Sequence, residues 1–130
     1  MKKRLTALAL AATSIFSVSS FAASPVELTV YTAFESDLLT RYKKAFEQEN
    51  PDIRIKWVRD STGIMTAKLL AEKANNRADV VWGLAGSSMA LLKQEGVLDN
   101  YKPAGLTEIK AELVDPEASK AWFGNQAFFN

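Results

Sequence analysis

The 130-residue chain has no cysteine and no histidine. The first absence excludes a disulfide framework and a lipid anchor attached through a cysteine, so stability has to come from an apolar core. The second removes the commonest general base, the commonest metal ligand and the usual partner of a serine nucleophile. No uninterrupted apolar run approaches the roughly 20 residues that a membrane-spanning helix needs. An excess of charge of one sign is missing too: 16 basic residues stand against 15 acidic ones, and setting Lys2, Lys3 and Arg4 aside leaves 13 against 15. Such a balance gives no electrostatic footprint for nucleic acid and no polybasic surface for anionic lipid, which argues against stable membrane insertion.

What is present begins with an export signal. Lys2, Lys3 and Arg4 form a positive start, Leu5 to Val18 is apolar with small polar interruptions, and Ser20-Phe21-Ala22 offers small residues in the pattern that signal peptidase reads. Residues 1–22 are therefore expected to be a signal peptide. Residues 23–130 are expected to form one exported domain.

Three strand-then-helix units follow. Val26-Glu27-Leu28-Thr29-Val30-Tyr31 has strand composition, and Ser36 or Asp37 is placed to cap a helix whose apolar face is Leu38, Leu39, Tyr42, Ala45 and Phe46. Asn50-Pro51 ends that helix. Ile53, Ile55 and Trp57 alternate with polar neighbours, which predicts a second strand near a sheet edge. After Asp60-Ser61-Thr62-Gly63 a second helix is expected, with Ile64, Ala67, Leu69, Leu70 and Ala71 facing inward and Asn75-Asn76 as its stop. Asp79 to Gly83 reads as a buried strand. Gly86-Ser87-Ser88 opens a third helix running to Glu95, with Gly96 as its left-handed cap. Thr107 to Leu113 holds one or two helical turns, and Trp122 to Phe129 reads as extended. No repeat or low-complexity tract interrupts the pattern. The alternation predicts an α/β fold with a parallel sheet and flanking helices.

The three strand-to-helix junctions look alike: Thr32 to Ser36, Asp60 to Gly63 and Gly83 to Ser88. In a parallel sheet all of them lie at the carboxyl-terminal edge, and a 2-1-3 strand order makes them neighbours at the switch point where ligands bind. Each brings free backbone N–H groups at the positive end of a helix dipole. Hydroxyls add donors, and glycine lets an anion approach the backbone. Three such donors describe a pocket for phosphate, phosphonate, sulfate or carboxylate. Each Ser, Thr or Asp equally satisfies the rule for a residue that caps its own helix. Glu35 and Asp60 are carboxylates at the mouth, able to hold an ammonium group or to stand as solvated loop charges. Trp82 can lay its ring on a ligand or pack into the rim. Ser61, Ser87 and Ser88 have no histidine to deprotonate them, and Ser87 lacks the G-x-S-x-G pattern, so catalysis is not expected. No metal site and no cofactor is read.

The residues that carry a resemblance are Leu28 to Ala33, Trp57 to Gly63, Ala67 to Lys73 and Ala78 to Leu84. Over residues 28–130 the chain resembles periplasmic solute-binding proteins of ABC importers. The branch it is most similar to is the one described as 2-aminoethylphosphonate-binding, itself close to the ferric-iron-binding branch. The resemblance implies a two-lobed, hinge-closing fold of the type II kind, with residues 23–130 as an incomplete first lobe. It further implies a periplasmic location, a membrane permease as partner and a small phosphonate or phosphate-ester anion as ligand. The phosphonate-like contacts would fall on Thr32, Ser61, Thr62, Gly63, Ser87 and Ser88. Ferric iron is the alternative cargo, although that branch uses a histidine or acid in this lobe and tyrosines in the other. The chain length is expected to reflect a truncated, pseudogene-like remnant or one piece of a split protein. A small exported interaction protein with no transport role is the reading from a different class.

Overall fold

The computed structural model describes residues 24–117 and 121–124. The expected signal peptide and the segment after Gly124 lie outside the described residues. Strand β1 is Val26–Thr32, helix α1 Ser36–Glu49, β2 Ile53–Arg59, α2 Thr62–Ala71, β3 Val80–Trp82 and α3 Gly86–Gln94. Short 3-10 turns lie at Lys73–Asn75, between α2 and β3, and after α3 at Leu106–Glu108 and Ala111–Leu113.

The three strands are parallel in the order β2-β1-β3, the order under which the three junctions become neighbours. β2 is an edge strand among the described residues. Register places Thr32 opposite both Arg59 and Trp82, so all three strands end level. The order reverses direction between the first and second crossover. With crossovers of one hand, α1 must then lie on one face of the sheet and α2 on the other.

Side-chain alternation divides the sheet accordingly. Tyr31, opposite Val58 and Val81, enters a core formed with Met65, Leu69 and Leu92 of α2 and α3. Leu69 and Leu92 are fully buried. The Tyr31 hydroxyl donates to Glu72 at 2.7 Å, and Lys68 bonds the same carboxylate at 2.6 Å. Val30, Trp57 and Trp82 point to the other face, where Tyr42 of α1 meets Trp82 edge-on at 4.9 Å.

Several local expectations shift. The residue that caps α1 is Glu35 rather than Ser36 or Asp37, because both are already inside the first turn. Only Leu39 of the predicted α1 face is buried, and Tyr42 is 47% exposed. On α2 the inward residues are Met65, Thr66 and Leu69, whereas Ile64 is 54% exposed. Thr66 tolerates burial because its hydroxyl donates to the Thr62 carbonyl at 2.7 Å. α2 ends at Ala71, and the chain tightens into a 3-10 turn before Asn76. β3 is not a fully buried strand, since Val80 is 39% exposed on the side that α1 leaves open. Gly96 takes the expected left-handed conformation at φ 66°. Of the stretch expected to be extended from Trp122 to Phe129, residues 125–129 lie outside the described residues, and the described part makes a single antiparallel bridge between Val114 and Phe123. Asp115 secures it, accepting from the Lys93 ammonium at 2.7 Å and from the amides of Glu117 and Ala121.

Candidate functional site

The level strand ends bring the junctions 33–36, 60–63 and 83–86 to one edge of the sheet, with the starts of all three helices beside each other. β1 is central, so its junction stands between the other two. Asp60 N–H donates to the Thr32 carbonyl at 3.2 Å, extending the β1–β2 pairing into the second junction.

Phe34 joins all three. Its N–H donates to the Thr32 hydroxyl at 3.1 Å, and its carbonyl accepts from Arg59 Nε at 2.7 Å. Its ring lies 4.6 Å from that of Trp82 and presses on Gly83. Trp82 in turn stacks on Trp57 at 5.8 Å. The indole N–H of Trp57 is buried and meets no acceptor among the described residues.

The expected site residues take the following places. Thr32 is wholly buried, its hydroxyl engaged by Phe34. Glu35 is exposed, makes no side-chain bond to its own helix, and pairs with Arg59 at 3.2 Å. Ser61 caps α2, its hydroxyl accepting from Ile64 N–H at 3.4 Å while its own N–H donates to Asp60 at 2.7 Å. Thr62 and Gly63 open α2, and a Cβ at Gly63 would meet nothing within 4 Å. Trp82 is the centre of the aromatic cluster. Ser87 and Ser88 lie in the first turn of α3, whose cap position is Ala85 and carries no side-chain bond.

At the starts of α1 and α3, therefore, no side chain satisfies the first-turn amides, while α2 spends one amide on Ser61. Unsatisfied N–H groups at such ends attract negative charge. The electrostatics of the edge are mixed: Glu35 and Asp60 are acidic, and Arg59 is the cation. Among the described residues no group of three or more Asp, Glu, His or Cys gathers to hold a metal. A hollow of about 460 Å³ does exist, but between α3 and the residues Asp115, Pro116, Glu117 and Trp122. None of the residues lining it belongs to the three strand-end junctions. At the strand-end edge Glu35, Ser61, Gly63, Gly86 and Ser87 are exposed.

Sequence reasoning missed Phe34 and Arg59. A signal for the first was the glycine at 83, directly after a strand, where a side chain is excluded. Arg59 was readable as the last β2 residue before the Asp60 turn.

Comparison with known proteins agrees with this geometry. Residues 29–129 match the family described as bacterial extracellular solute-binding protein. A probable ABC transporter periplasmic-binding protein, y4fP of Sinorhizobium fredii, is 33% identical over 114 residues, covering 85% of this chain and 30% of that protein. AfuA from Actinobacillus pleuropneumoniae, solved with fructose-6-phosphate, is 28% identical with a TM-score of 0.67 over 75% of this chain and 30% of that one. The ferric binding protein from Campylobacter jejuni is 26% identical, TM-score 0.65, over 74% and 30%. Iron-bound HitA from Pseudomonas aeruginosa, 24% identical at a TM-score of 0.69 over 77% and 32%, shows the shared fold. The chain belongs to the bacterial extracellular solute-binding protein family, and its α/β architecture is the type II binding-protein fold. It spans about 30% of the length of the curated relative. The expectation of a binding protein in place of an enzyme agrees with that family.

Proposed function

We propose that this chain forms one wall of the solute site of an exported ABC-importer binding protein, the wall that grips an oxyanion. The observation that carries the reading is the alignment of three helix starts at one strand edge, two of them with no side chain capping their amides. The role is capture and delivery to a membrane permease, with no covalent step. Residues 1–22 serve as the signal peptide, and residues 23–130 as part of the first lobe.

Two cargoes fit. Ferric iron has the larger support among the similar structures, since the Campylobacter protein is a ferric binding protein and the Pseudomonas protein is iron-bound. In this chain the wall would then hold an oxyanion accompanying the metal, because its donors are amides and hydroxyls. A phosphate ester or phosphonate is the second cargo, supported by the fructose-6-phosphate in AfuA. Tight binding needs a second wall to bury the solute, so the chain alone should bind at millimolar levels.

The test is a titration of the isotope-labelled chain followed by amide chemical shifts. With inorganic phosphate the amides of Asp37, Leu38, Thr62, Gly63, Ser87 and Ser88 should move together, and chloride at equal ionic strength should leave them still. Ferric citrate against sodium citrate, and fructose 6-phosphate against fructose, then separate the cargoes. Shifts confined to the lysine-bearing outer face of α1 would end the proposal.

A further inference from the structure

We infer that Glu35 is a resident stand-in for the solute's anionic group, holding the Arg59 guanidinium until an oxyanion displaces it. The inference rests on the reading of this edge as a solute wall. Within residues 32–36, 59–63 and 82–88, Arg59 is the one cation. Its guanidinium is divided between two unlike partners. Nε–H is anchored on the main-chain carbonyl of Phe34 at 2.7 Å, while a terminal nitrogen reaches the Glu35 carboxylate at 3.2 Å.

The first partner is fixed by the β1–α1 turn. The second is exchangeable, because the Glu35 side chain is 75% exposed and exposed ion pairs contribute little. Glu35 also leaves undone what an acidic residue at a helix cap ordinarily does. It makes no side-chain bond to the first turn of α1, so the cap leaves that turn's amides to another acceptor, and the turn begins two residues after the Phe34 carbonyl that Arg59 holds. An oxyanion placed there gains the guanidinium and the amides together, all charge-assisted. Asp60 is turned to the second junction, its Oδ1 accepting from Ser61 N–H at 2.7 Å. Arg59 stays oriented throughout, because its Nε bond to Phe34 does not depend on Glu35.

The experiment measures inorganic phosphate affinity by amide shifts in the natural chain, Glu35→Gln, Arg59→Gln and the double variant. Displacement predicts that Glu35→Gln tightens phosphate about two- to fivefold, the range of an exposed ion pair, and changes nothing when Arg59 is already glutamine. Asp37→Asn serves as the control for charge acting through space and should have the same effect in both backgrounds. An equal gain from Glu35→Gln in both backgrounds overturns the exchange while leaving the oxyanion wall intact. Absence of phosphate-specific shifts in every folded variant overturns the wall and this inference with it. Where Arg59→Gln does not fold, Arg59→Lys provides the second background: it keeps the charge but loses the Phe34 anchor, and the Glu35→Gln gain should shrink below twofold.

Discussion

The ring of Phe34 lies so close to Gly83 that a Cβ added there would stand 2.3 Å from it. Gly83 also has φ 71°, where side chains are strained. Two separate costs meet at one position. Strand β3 can therefore end against the first junction only as glycine, and the start of α3 is set by where Phe34 rests.

Gly83→Ala is expected to destabilise the chain by about 2–4 kcal/mol, adding overpacking to the left-handed penalty. Gly96→Ala provides the comparison. Its φ is 66°, but nothing lies within 4 Å of the new Cβ, so only the left-handed backbone penalty of about 1 kcal/mol is expected. Urea unfolding measures both. The Gly83 variant should also shift tryptophan emission, because Phe34 abuts Trp82, and the Gly96 variant should not. Equal losses would mean that the ring contact is unimportant.

On α2, burial separates neighbours that a helical period alone does not. Leu69→Ala should cost about 2–5 kcal/mol, as a fully buried leucine does. Ile64→Ala should stay within about 0.5 kcal/mol, because Ile64 is over half exposed. The difference in unfolding midpoints reads this directly, and similar losses would restore the Ile64 face.

The α2 pair shows where sequence legibility stops. The parallel sheet, the edge position of β2, the Ser61 cap and the Gly96 terminator follow from local pattern plus the few topologies open to strand–helix repeats, whereas the β2-β1-β3 order is one of those topologies and is set by the structure. The inward face of α2 does not, because Ile64 and Met65 both fit a 3.6-residue period. The choice is made by Thr66, whose hydroxyl satisfies itself on Thr62 and lets a polar residue turn inward. Phe34 and Arg59 are less legible still. Their roles come from contacts with Gly83 and with Phe34 and Glu35, residues far apart in the chain, and no local period encodes these. Of the expected site residues, the structure brings all three groups to one edge, but Thr32 arrives with its hydroxyl already used.

The Tyr31–Glu72–Lys68 group predicts a pH window. Lys68 and then Tyr31, both bonded to the Glu72 carboxylate, hold its pKa below the ordinary 4.5. A depressed folded pKa contributes stability that is present above the unfolded value and lost as pH falls through the folded one. Burial first, and the Glu72 bond second, raise the Tyr31 phenol above 10.0. That contribution is present below pH 10 and is lost as pH rises through the raised value. Stability should thus fall below about pH 4.5 and again above about pH 10. Glu72→Gln should flatten the acid limb of a urea-midpoint profile, and Tyr31→Phe the alkaline limb. An unchanged acid slope in Glu72→Gln would place the sensitivity elsewhere, with Glu47 the next carboxylate to replace.

Glu47 belongs to a second device, on the outer edge of β2. Its carboxylate accepts from Ile55 N–H at 2.7 Å, and Lys43, one helical turn earlier, donates to the Ile55 carbonyl. The pair is itself bonded at 2.9 Å. Lys43 first, and the Ile55 amide second, hold Glu47 below its ordinary pKa. Two α1 side chains thus occupy the backbone groups that an edge strand would otherwise offer to another chain. Glu47→Ala frees the Ile55 N–H without touching the core, and Lys43→Ala frees the carbonyl. Each should raise concentration-dependent association, and the double variant should raise it most, as read by sedimentation velocity at neutral pH. Because protonation of Glu47 removes the same cover, the natural chain should begin to associate in acid before its far-ultraviolet dichroism changes. Should the double variant sediment as the natural chain does at every concentration, the edge must be shielded by something other than α1.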